Sequence, residues 1–274
     1  MKLYESLLHA DPFFLIAGPC VVEDDETMSQ IASTLVNLAQ RLGLILIFKA
    51  SYKKANRSSE TSYSGPGTQE GLKILSRLKA EFGFPVLTDI HECADAEEAA
   101  EVCDILQIPA FLSRQTELIH AAARTGKIIN IKKGQFMAPE DMLSATEKAT
   151  SQNNYQVLLT ERGTSFGYHN LVVDFRSFAI MRQSHYPVVY DVTHSLQLPS
   201  VNRSSGGNPE YAAMMASAAM ATGMVSGLFL ETHPKPMEAL SDAASMLALN
   251  QVEPLLKNCI KIKNAIKEDY GVNQ

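Results

Sequence analysis

IFKASYKKANRSSETSYSGPG, residues 47–67, places the end of an apolar run directly before a cluster of cations, hydroxyls and glycines. Residues 44–48 have the apolar character of a buried strand, and Lys49, Lys54 and Arg57 follow it. Cations supply charge and forked hydrogen-bond donors for phosphate or carboxylate oxygens. Because α/β proteins place their binding groups where strands end, we interpret this stretch as an anion site rather than a solvated basic loop.

The composition is that of an ordinary globular protein with a large core. The chain has 274 residues, of which 46% are hydrophobic and 20% are charged. Its net charge of −6 argues against nucleic acid or an anionic membrane as a partner, since both need a basic face. A cationic site on this chain is therefore local, which suits small anionic ligands.

The cysteines and the apolar runs predict a cytoplasmic protein. Four cysteines are scattered without a CxxC pair, which fits a reducing compartment. The apolar run at residues 13–17 lacks the basic flank of a signal peptide. No run reaches the roughly 18 apolar residues that a membrane span needs.

Apolar runs of strand type alternate eight times with amphipathic stretches. The predicted strands are Phe13–Ala17, Leu44–Ala50, Pro85–Asp89, Ile105–Ile108, Ile128–Ile131, Gln156–Thr160, Val188–Asp191 and Gly227–Glu231. The predicted helices are Thr27–Arg41, Thr68–Phe82, Asp95–Cys103, Gln115–Arg124, Pro139–Thr150, Asp174–Arg182, Pro209–Thr222 and Met237–Lys267. Eight such units predict a (β/α)8 TIM barrel forming a single catalytic domain over residues 1–274. A doubly wound sheet is the alternative, but no GxGxxG follows the first strand.

Charged and polar residues stand at the predicted strand ends, where a barrel of this kind has its active site. In chain order these ends carry Cys20, Lys49, Asp89 with His91 and Glu92, Gln107, Lys132 with Lys133, Glu161 with Arg162, Asp191 with His194, and Glu231 with His233. Five cations match two phosphates, or a phosphate and a carboxylate; they are Lys49, Lys54, Arg57, Lys132 and Arg162. The pattern predicts a site for a polyanionic substrate.

A second group has the chemistry of a metal site. Cys20, His194, Glu231 and Asp242 offer a thiolate, an imidazole and two carboxylates from loops that adjoin in a closed barrel. A buried thiol and a helix-capping Asp242 account for the same residues, and spacing alone does not decide between these readings. We interpret the acidic run at residues 23–26 as a helix N-terminus rather than a metal site.

Nine motifs spread along the chain carry a family resemblance. They are IAGPC (16–20), FKASYKKANRSS (48–59), GPG (65–67), TDIHE (88–92), PAFLSRQT (109–116), NIKKGQF (130–136), ERGTSFGYHNLVVD (161–174), DVTHSLQ (191–197) and ETHPKP (231–236). In this order they resemble the 3-deoxy-D-manno-octulosonate 8-phosphate synthases, phosphoenolpyruvate-dependent aldol enzymes of lipopolysaccharide sugar synthesis. The related shikimate-pathway synthase, which uses erythrose 4-phosphate, has a loop resembling KPRTSP in place of ANRSS.

The resemblance implies condensation of phosphoenolpyruvate with arabinose 5-phosphate and water, releasing phosphate. It implies that phosphoenolpyruvate is held by Lys49, Lys54, Gln107, Ala110, Lys132 and Arg162. It implies that arabinose 5-phosphate is held by Asn56, Arg57, Ser58 and Asp89, with Phe111 and Arg114 reaching a neighbouring subunit's site in a homotetramer. The alternatives are a shikimate-type synthase and a non-catalytic phosphosugar-binding barrel.

Cys20 is similar to the first-strand cysteine of the family's metal-dependent branch; the metal-independent branch has asparagine there. This similarity implies that Cys20, His194, Glu231 and Asp242 bind one divalent ion, which can be Fe, Zn, Mn or Co. Ala243 departs from the Asp-Gly pattern of the family, which puts the placement of Asp242 in question if that position needs a positive φ. We assign catalytic roles to Lys49, Lys132, His194 and Asp242.

Overall fold

Eight parallel strands close into a barrel in the computed structural model, which describes residues 2–55, 62–166, 170–198 and 206–270. Each barrel strand pairs with the next along the chain, and the last pairs with the first, so that Gly18 lies opposite Glu231. The barrel strands are β1 (Phe14–Gly18), β2 (Ile45–Lys49), β3 (Val86–Asp89), β4 (Ile105–Ile108), β5 (Ile128–Lys132), β6 (Val157–Glu161), β7 (Val188–Asp191) and β8 (Gly227–His233). The predicted (β/α)8 TIM barrel is confirmed.

In the described chain, eight helices follow the strands and cover the outside of the barrel, and one further helix precedes β1. They are α1 (Leu3–Leu8), α2 (Asp25–Leu42), α3 (Thr68–Phe82), α4 (Asp95–Val102), α5 (Thr116–Arg124), α6 (Asp141–Thr150), α7 (Arg176–Arg182), α8 (Ala212–Ala221) and α9 (Leu249–Tyr270). The limits predicted for α3, β4 and β7 are those observed. Most other limits differ by one or two residues, but α8 starts later than predicted because Pro209–Tyr211 forms a 3-10 turn before it.

Every second residue of a strand faces the inside of the barrel, and these inward side chains fill its interior from the lower, amino end to the carboxyl end. The lower layer is apolar, and its buried members are Phe14, Ile16, Ile47, Leu87, Ile105, Ile128, Leu158, Val189 and Phe229. Gly227 belongs to this layer because a Cβ there would lie 2.4 Å from the Phe14 ring. Two residues further along several strands, the inward positions become polar, so the functional layer rests on a packed apolar floor.

Helix α1, which the sequence analysis did not predict, closes the amino end of the barrel. Leu7 is 1% exposed and packs into the lower apolar layer, and Tyr4 packs beside it. The Tyr4 hydroxyl donates to the carbonyl of Val157 at 3.1 Å. The barrel interior is therefore covered at the end opposite the polar layer.

The predicted helix Met237–Lys267 is wrong over its first twelve residues. Residues 237–248 form a loop with a 3-10 turn at Pro236–Glu238 and a two-residue strand, Leu247–Ala248, paired with β8. Asp242 has a φ of 50°, in the left-handed region, and this conformation interrupts a helix. The loop brings Asp242 over the barrel instead of carrying it away on a helix.

Two further findings concern the chain as a whole. All four cysteines are free thiols. Among the helices of the described chain, none combines the length and the apolar character that crossing a bilayer requires.

Candidate active site

The carboxyl ends of the strands bring the predicted site residues together at one end of the barrel. Those placed at this end are Cys20, Lys49, Asp89, Gln107, Lys132, Arg162, His194, Glu231 and Asp242. Asn56, Arg57 and Ser58, predicted to hold the sugar phosphate, lie outside the described residues. The site can therefore be described for its cations, its carboxylates and its thiol.

Lys49, at the end of β2, links three strands. Its Nζ donates to Glu231 Oε1 on β8 at 2.7 Å and to the Cys20 carbonyl at 3.0 Å. It also lies 3.2 Å from Ser51 Oγ and 3.8 Å from Asp89 Oδ1. Lys49 is 1% exposed, so these contacts hold its ammonium group in a fixed place.

Lys132, at the end of β5, forms a second buried cluster with β7. Its Nζ donates to Asp191 Oδ2 at 2.5 Å and lies 3.4 Å from His194 Nδ1. The same Asp191 oxygen is 2.8 Å from His194 Nδ1, so it orients both groups. Below them the Phe229 ring centroid is 3.7 Å from Lys132 Nζ, close enough for a cation–π contact.

Arg162 presents an unsatisfied donor. Its Nη2 donates to Gln197 Oε1 at 2.8 Å, but its buried Nη1 has no hydrogen-bond partner among the described residues. A buried guanidinium nitrogen without a partner is costly unless a ligand satisfies it. Of the five cations predicted to bind anions, Lys49 and Lys132 are paired with carboxylates, whereas this nitrogen of Arg162 has no partner among the described residues.

A line of hydrogen bonds across three strands fixes the orientation of the Gln107 amide. The Thr160 hydroxyl donates to Asn130 Oδ1 at 2.6 Å, and Asn130 Nδ2 donates to Gln107 Oε1 at 2.9 Å. Gln107 Oε1 is thereby occupied as an acceptor. The NH₂ group of Gln107 is then the part of the amide that remains to donate to an anion.

Three of the four proposed metal ligands lie together, and the fourth lies beside them. Ligand atoms of Cys20, Glu231 and Asp242 all lie within 4.8 Å of one another, and Cys20 Sγ is 2.9 Å from Asp242 Oδ2. His194 is outside this group of three, although its Nε2 is 3.5 Å from Glu231 Oε2. Glu231 Oε2 is buried and has no hydrogen-bond partner among the described residues, so it remains available as an acceptor or ligand atom.

Burial and neighbouring charges set opposite pKa shifts in the site. Burial alone raises the pKa of the Glu231 carboxyl, but His194 and Lys49 outweigh it and hold that pKa well below its usual range. Burial likewise opposes ionisation of Asp191, and His194 and Lys132 again lower its pKa. The pKa of the Cys20 thiol is raised by burial and then by Asp242 and Glu231. These shifts favour the ionised form of the Glu231 and Asp191 carboxyls and oppose ionisation of the Cys20 thiol.

Ala243, which stands where the resemblance implies a glycine, does not occupy a position with a positive φ. The positive φ of 50° falls on Asp242 itself, and Ala243 is not among the described non-glycine residues with positive φ. Aspartate tolerates the left-handed region better than most residues. The Asp242 carboxylate thus reaches Cys20 without a glycine after it.

The remaining predicted substrate residues lie further out. Ala110 is buried in a 3-10 turn after β4, whereas Phe111 is 57% exposed and Arg114 is also exposed. Lys54 is half-buried; burial lowers its pKa, but Cys20, Asp89 and Glu231 together raise it well above its usual value. Lys54 therefore adds positive charge near the carboxylates of the site.

Four residues in contact with the site were given no role in the sequence analysis: Ser51, Asn130, Thr160 and Asp191. Ser51 Oγ lies 2.8 and 2.9 Å from the two Asp89 oxygens, and Asp191 binds both Lys132 and His194. Asp191 stands at a predicted strand end, which was the available signal. Asn130 and Thr160 lie within strands, so their place beside Gln107 can be predicted only when the register of the neighbouring strands is known.

Comparisons with known proteins agree with this architecture. The model of the DAHP synthetase I family matches residues 9–268. A 2-dehydro-3-deoxyphosphooctonate aldolase of Syntrophotalea carbinolica is 52% identical over 257 residues, which cover 93% of this chain and 92% of that protein. Proteins of the same name from Geobacter sp. and Acidithiobacillus ferrooxidans are each 51% identical over 264 residues, covering 96% of this chain and 94% of each relative.

The fold and the rim of cations and carboxylates define a barrel enzyme that acts on anions. The chain belongs to the DAHP synthetase I family and, within it, to the 2-dehydro-3-deoxyphosphooctonate aldolases. This confirms the resemblance drawn from the nine sequence motifs.

Proposed function

We propose that this chain condenses phosphoenolpyruvate with D-arabinose 5-phosphate and water, giving 3-deoxy-D-manno-octulosonate 8-phosphate and inorganic phosphate for lipopolysaccharide sugar synthesis. The observation that carries the proposal is the open guanidinium nitrogen of Arg162 on the same rim as Lys132, Lys49 and Gln107. The names of the relatives, which are about 50% identical over nearly the whole chain, support it.

Phosphoenolpyruvate is proposed to bind over the Phe229 floor. Arg162 Nη1 and the Gln107 NH₂ group are the donors that the described contacts leave free. Lys49, Lys54, Lys132 and the turn at Ala110 complete the proposed set. Because phosphate and carboxylate are both anionic, these cations also screen the repulsion between the two substrates.

Arabinose 5-phosphate is proposed to bind above, against Asp89 and the loop with Asn56, Arg57 and Ser58. The Asp89 carboxylate is held by Ser51 and stays ionised, because Lys49 and Lys54 outweigh burial and lower its pKa well below the usual value. An ionised carboxylate is suited to accept hydrogen bonds from sugar hydroxyls.

The residues present fit one divalent ion. Cys20 Sγ, Asp242 and the free Glu231 Oε2 form a compact donor set, and His194 adjoins it. A thiolate among carboxylates and an imidazole favours Fe(II), Zn(II), Mn(II) or Co(II) over Mg(II). Such an ion supplies positive charge that orients or acidifies a water molecule.

The protein's own groups then account for the bond changes. The C3 carbon of phosphoenolpyruvate attacks the sugar aldehyde, and the positive charge of the Lys49 ammonium group, held at the rim by Glu231, stabilises the developing alkoxide. Water adds to C2 as one of its protons passes to that alkoxide, and the resulting hemiketal becomes a ketone by losing its hydroxyl proton and, through C–O cleavage, phosphate. Lys132 and Arg162 hold the phosphate oxygens while that bond breaks.

A phosphate-release assay tests the proposal. Phosphate should appear only when phosphoenolpyruvate and arabinose 5-phosphate are both present. Comparable release with erythrose 4-phosphate would indicate the shikimate-type reaction, and binding without release would indicate a phosphosugar-binding barrel.

We further propose a cytoplasmic homotetramer. Phe111, more than half exposed, and Arg114 are proposed to complete the site of a neighbouring subunit. Four free cysteines are consistent with a reducing compartment.

A further inference from the structure

Glu23 is a buried carboxylate that the helix-capping interpretation of residues 23–26 does not explain. Asp24 caps α2, since its Oδ1 accepts the Thr27 N–H at 2.9 Å. Glu23 is 7% exposed and contacts the loop that follows β8 instead. A carboxylate buried three residues after Cys20 must have another purpose or a compensating partner.

Both Glu23 oxygens contact residues next to proposed metal ligands. Glu23 Oε1 accepts the Leu240 N–H at 3.1 Å, and Leu240 lies two residues before Asp242. Glu23 Oε2 is 3.5 Å from His233 Nε2, and His233 lies two residues after Glu231. One side chain therefore links the segments that carry three proposed ligands: Cys20, Glu231 and Asp242.

The backbone of Lys235 orients the His233 ring toward Glu23. The Lys235 N–H donates to His233 Nδ1 at 3.0 Å, which leaves the proton on Nε2. Nδ1 is also 2.7 Å from the Lys235 carbonyl oxygen, which a ring protonated on both nitrogens would use as an acceptor. With the proton on Nε2, an N–H faces Glu23 Oε2 at 3.5 Å, where the contact is electrostatic rather than a hydrogen bond among the described residues.

The segment that carries Cys20 and Glu23 is fixed to β2 on its other side. The Ser51 N–H donates to the Cys20 carbonyl at 3.2 Å, and the Val22 N–H donates to the Ser51 carbonyl at 2.9 Å. Glu23 then fastens this segment to the β8 loop, in which Asp242 adopts a positive φ. Neighbouring structure must hold such a conformation in place.

We propose that Glu23 and His233 are positioning residues that set the separation of Cys20 from Asp242 and thereby the affinity of the site for its metal. They are outside the group of three clustered ligands and act through the segments that carry them. Removing groups that orient metal ligands typically costs 10- to 100-fold in metal affinity. This inference rests on the metal site of the proposed function.

Cobalt(II) binding to metal-stripped protein tests the inference without an activity assay. The Cys20 thiolate should give a near-ultraviolet charge-transfer band with Co(II), and titration of that band gives the dissociation constant. Glu23→Ala should weaken Co(II) binding at least tenfold and change the band. Glu23→Gln keeps an acceptor for Leu240 but loses the charge toward His233, so its affinity should lie between those of wild type and Glu23→Ala.

Asp24→Ala is the matched control because it removes a helix cap from the same segment without touching the β8 loop. It should lower the melting temperature and leave Co(II) affinity unchanged. The positioning role would be overturned if both Glu23 variants had the Co(II) affinity and spectrum of the wild type. It would also be overturned if Asp24→Ala weakened Co(II) binding as much as Glu23→Ala does. Either result would leave the metal site itself standing. If Glu23→Ala does not fold, Glu23→Gln decides by the same criterion. Absence of a thiolate band in wild type would overturn the metal site, and the positioning role with it.

Discussion

At the scale of single residues, the Cys20 thiol contacts Ser241 Oγ and Asp242 Oδ2, and the Cys20 carbonyl accepts a hydrogen bond from Lys49 Nζ. Cys20→Ala removes the softest proposed ligand, so we expect the variant to bind metal poorly and to be nearly inactive.

Chelation of the wild type with EDTA should likewise abolish phosphate release, and Fe(II), Zn(II), Mn(II) or Co(II) should restore it. Normal turnover by protein shown by elemental analysis to be metal-free would make Cys20 a buried thiol only.

Cys20→Asn separates metal binding from substrate positioning. The family's metal-independent branch is expected to carry asparagine at this position, and the cations of the site are unchanged by the substitution. We expect slow phosphate release that EDTA does not affect, since asparagine lacks the charge of a thiolate. Activity that still depends on added metal would show that the other ligands suffice without Cys20.

Asn130 is expected to control the affinity for phosphoenolpyruvate through Gln107. Asn130→Leu removes the donor to Gln107 Oε1 and lets the amide rotate. A lost hydrogen bond of about 0.5–1.5 kcal/mol corresponds to a rise in KM for phosphoenolpyruvate of roughly two- to tenfold. The KM for arabinose 5-phosphate should change less, as measured by initial rates.

Asn154 provides the control for Asn130. It is also buried, and its Nδ2 donates to the carbonyls of Ala123 and Lys127, before β6 rather than at the rim. Asn154→Leu should lower stability without raising either KM. Equal effects of the two variants on KM would contradict the orienting role of Asn130.

At the scale of elements, α9 is attached to the barrel by a buried lysine. Lys263 is 3% exposed, and its Nζ donates to the carbonyls of Gly223 and Val225 just before β8. Burial, followed by Arg182 and Lys267, lowers its pKa to about 8. Since the folded protein releases this proton more readily than the unfolded chain, Lys263 makes folding more favourable as the pH rises from about 8 to about 10.5.

Lys263→Met should abolish this pH dependence. The free energy of unfolding of the wild type, minus that of the variant, should increase by up to about 3 kcal/mol across this pH range, as measured by urea denaturation. Lys261→Met, at an exposed position on the same helix, serves as the control and should show little change. A difference between wild type and Lys263→Met that stays constant with pH would show that Lys263 has an ordinary pKa.

Sequence patterns predicted the elements whose own residues favour a strand or a helix. They did not predict elements that are stabilised mainly by contacts with the rest of the barrel. Strands such as Ile105–Ile108 are apolar runs with their own pattern, whereas α1 has six residues and depends on contacts with the barrel floor. Residues 237–248 have a helix-like composition, which outweighed the one contrary signal, an aspartate at the position where the backbone becomes left-handed.

In the site, too, sequence patterns predicted what a single segment shows and missed what depends on contacts between segments. Polar strand ends predicted most of the rim residues, because parallel strands end at one edge. The Lys49–Glu231 and Lys132–Asp191 pairs join strands that are not neighbours in sequence. These pairs follow from barrel closure and register, which single strands do not encode.

At the scale of the whole molecule, α1 is expected to contribute to the stability of the entire barrel. Leu7→Ala removes a side chain buried against the lower layer and should cost about 2–5 kcal/mol of unfolding free energy. Leu8, its neighbour, is 38% exposed, so Leu8→Ala should cost at most about 0.5 kcal/mol. Thermal and urea unfolding of the two variants measure the difference, and similar values would show that α1 is not docked in solution.

Assembly is the second prediction at this scale. We expect a homotetramer by light scattering, because exposed Phe111 and Arg114 are proposed to complete a neighbouring site. Phe111→Ser should weaken both assembly and arabinose 5-phosphate binding, whereas Tyr155→Ser, at another exposed aromatic position, should weaken neither. A fully active monomer at working concentration would contradict this arrangement.

The closure of the barrel by α1 bears on the order in which substrates bind and products leave. Because apolar side chains fill the lower part of the barrel and α1 covers its amino end, the described part of the site is reached from the carboxyl ends of the strands. A molecule bound on the Phe229 floor, next to Lys132, lies deeper in the barrel than a molecule bound above it. The upper molecule therefore blocks exchange of the lower one. Phosphoenolpyruvate should therefore enter before the sugar, and a lingering sugar product should delay the exit of phosphate.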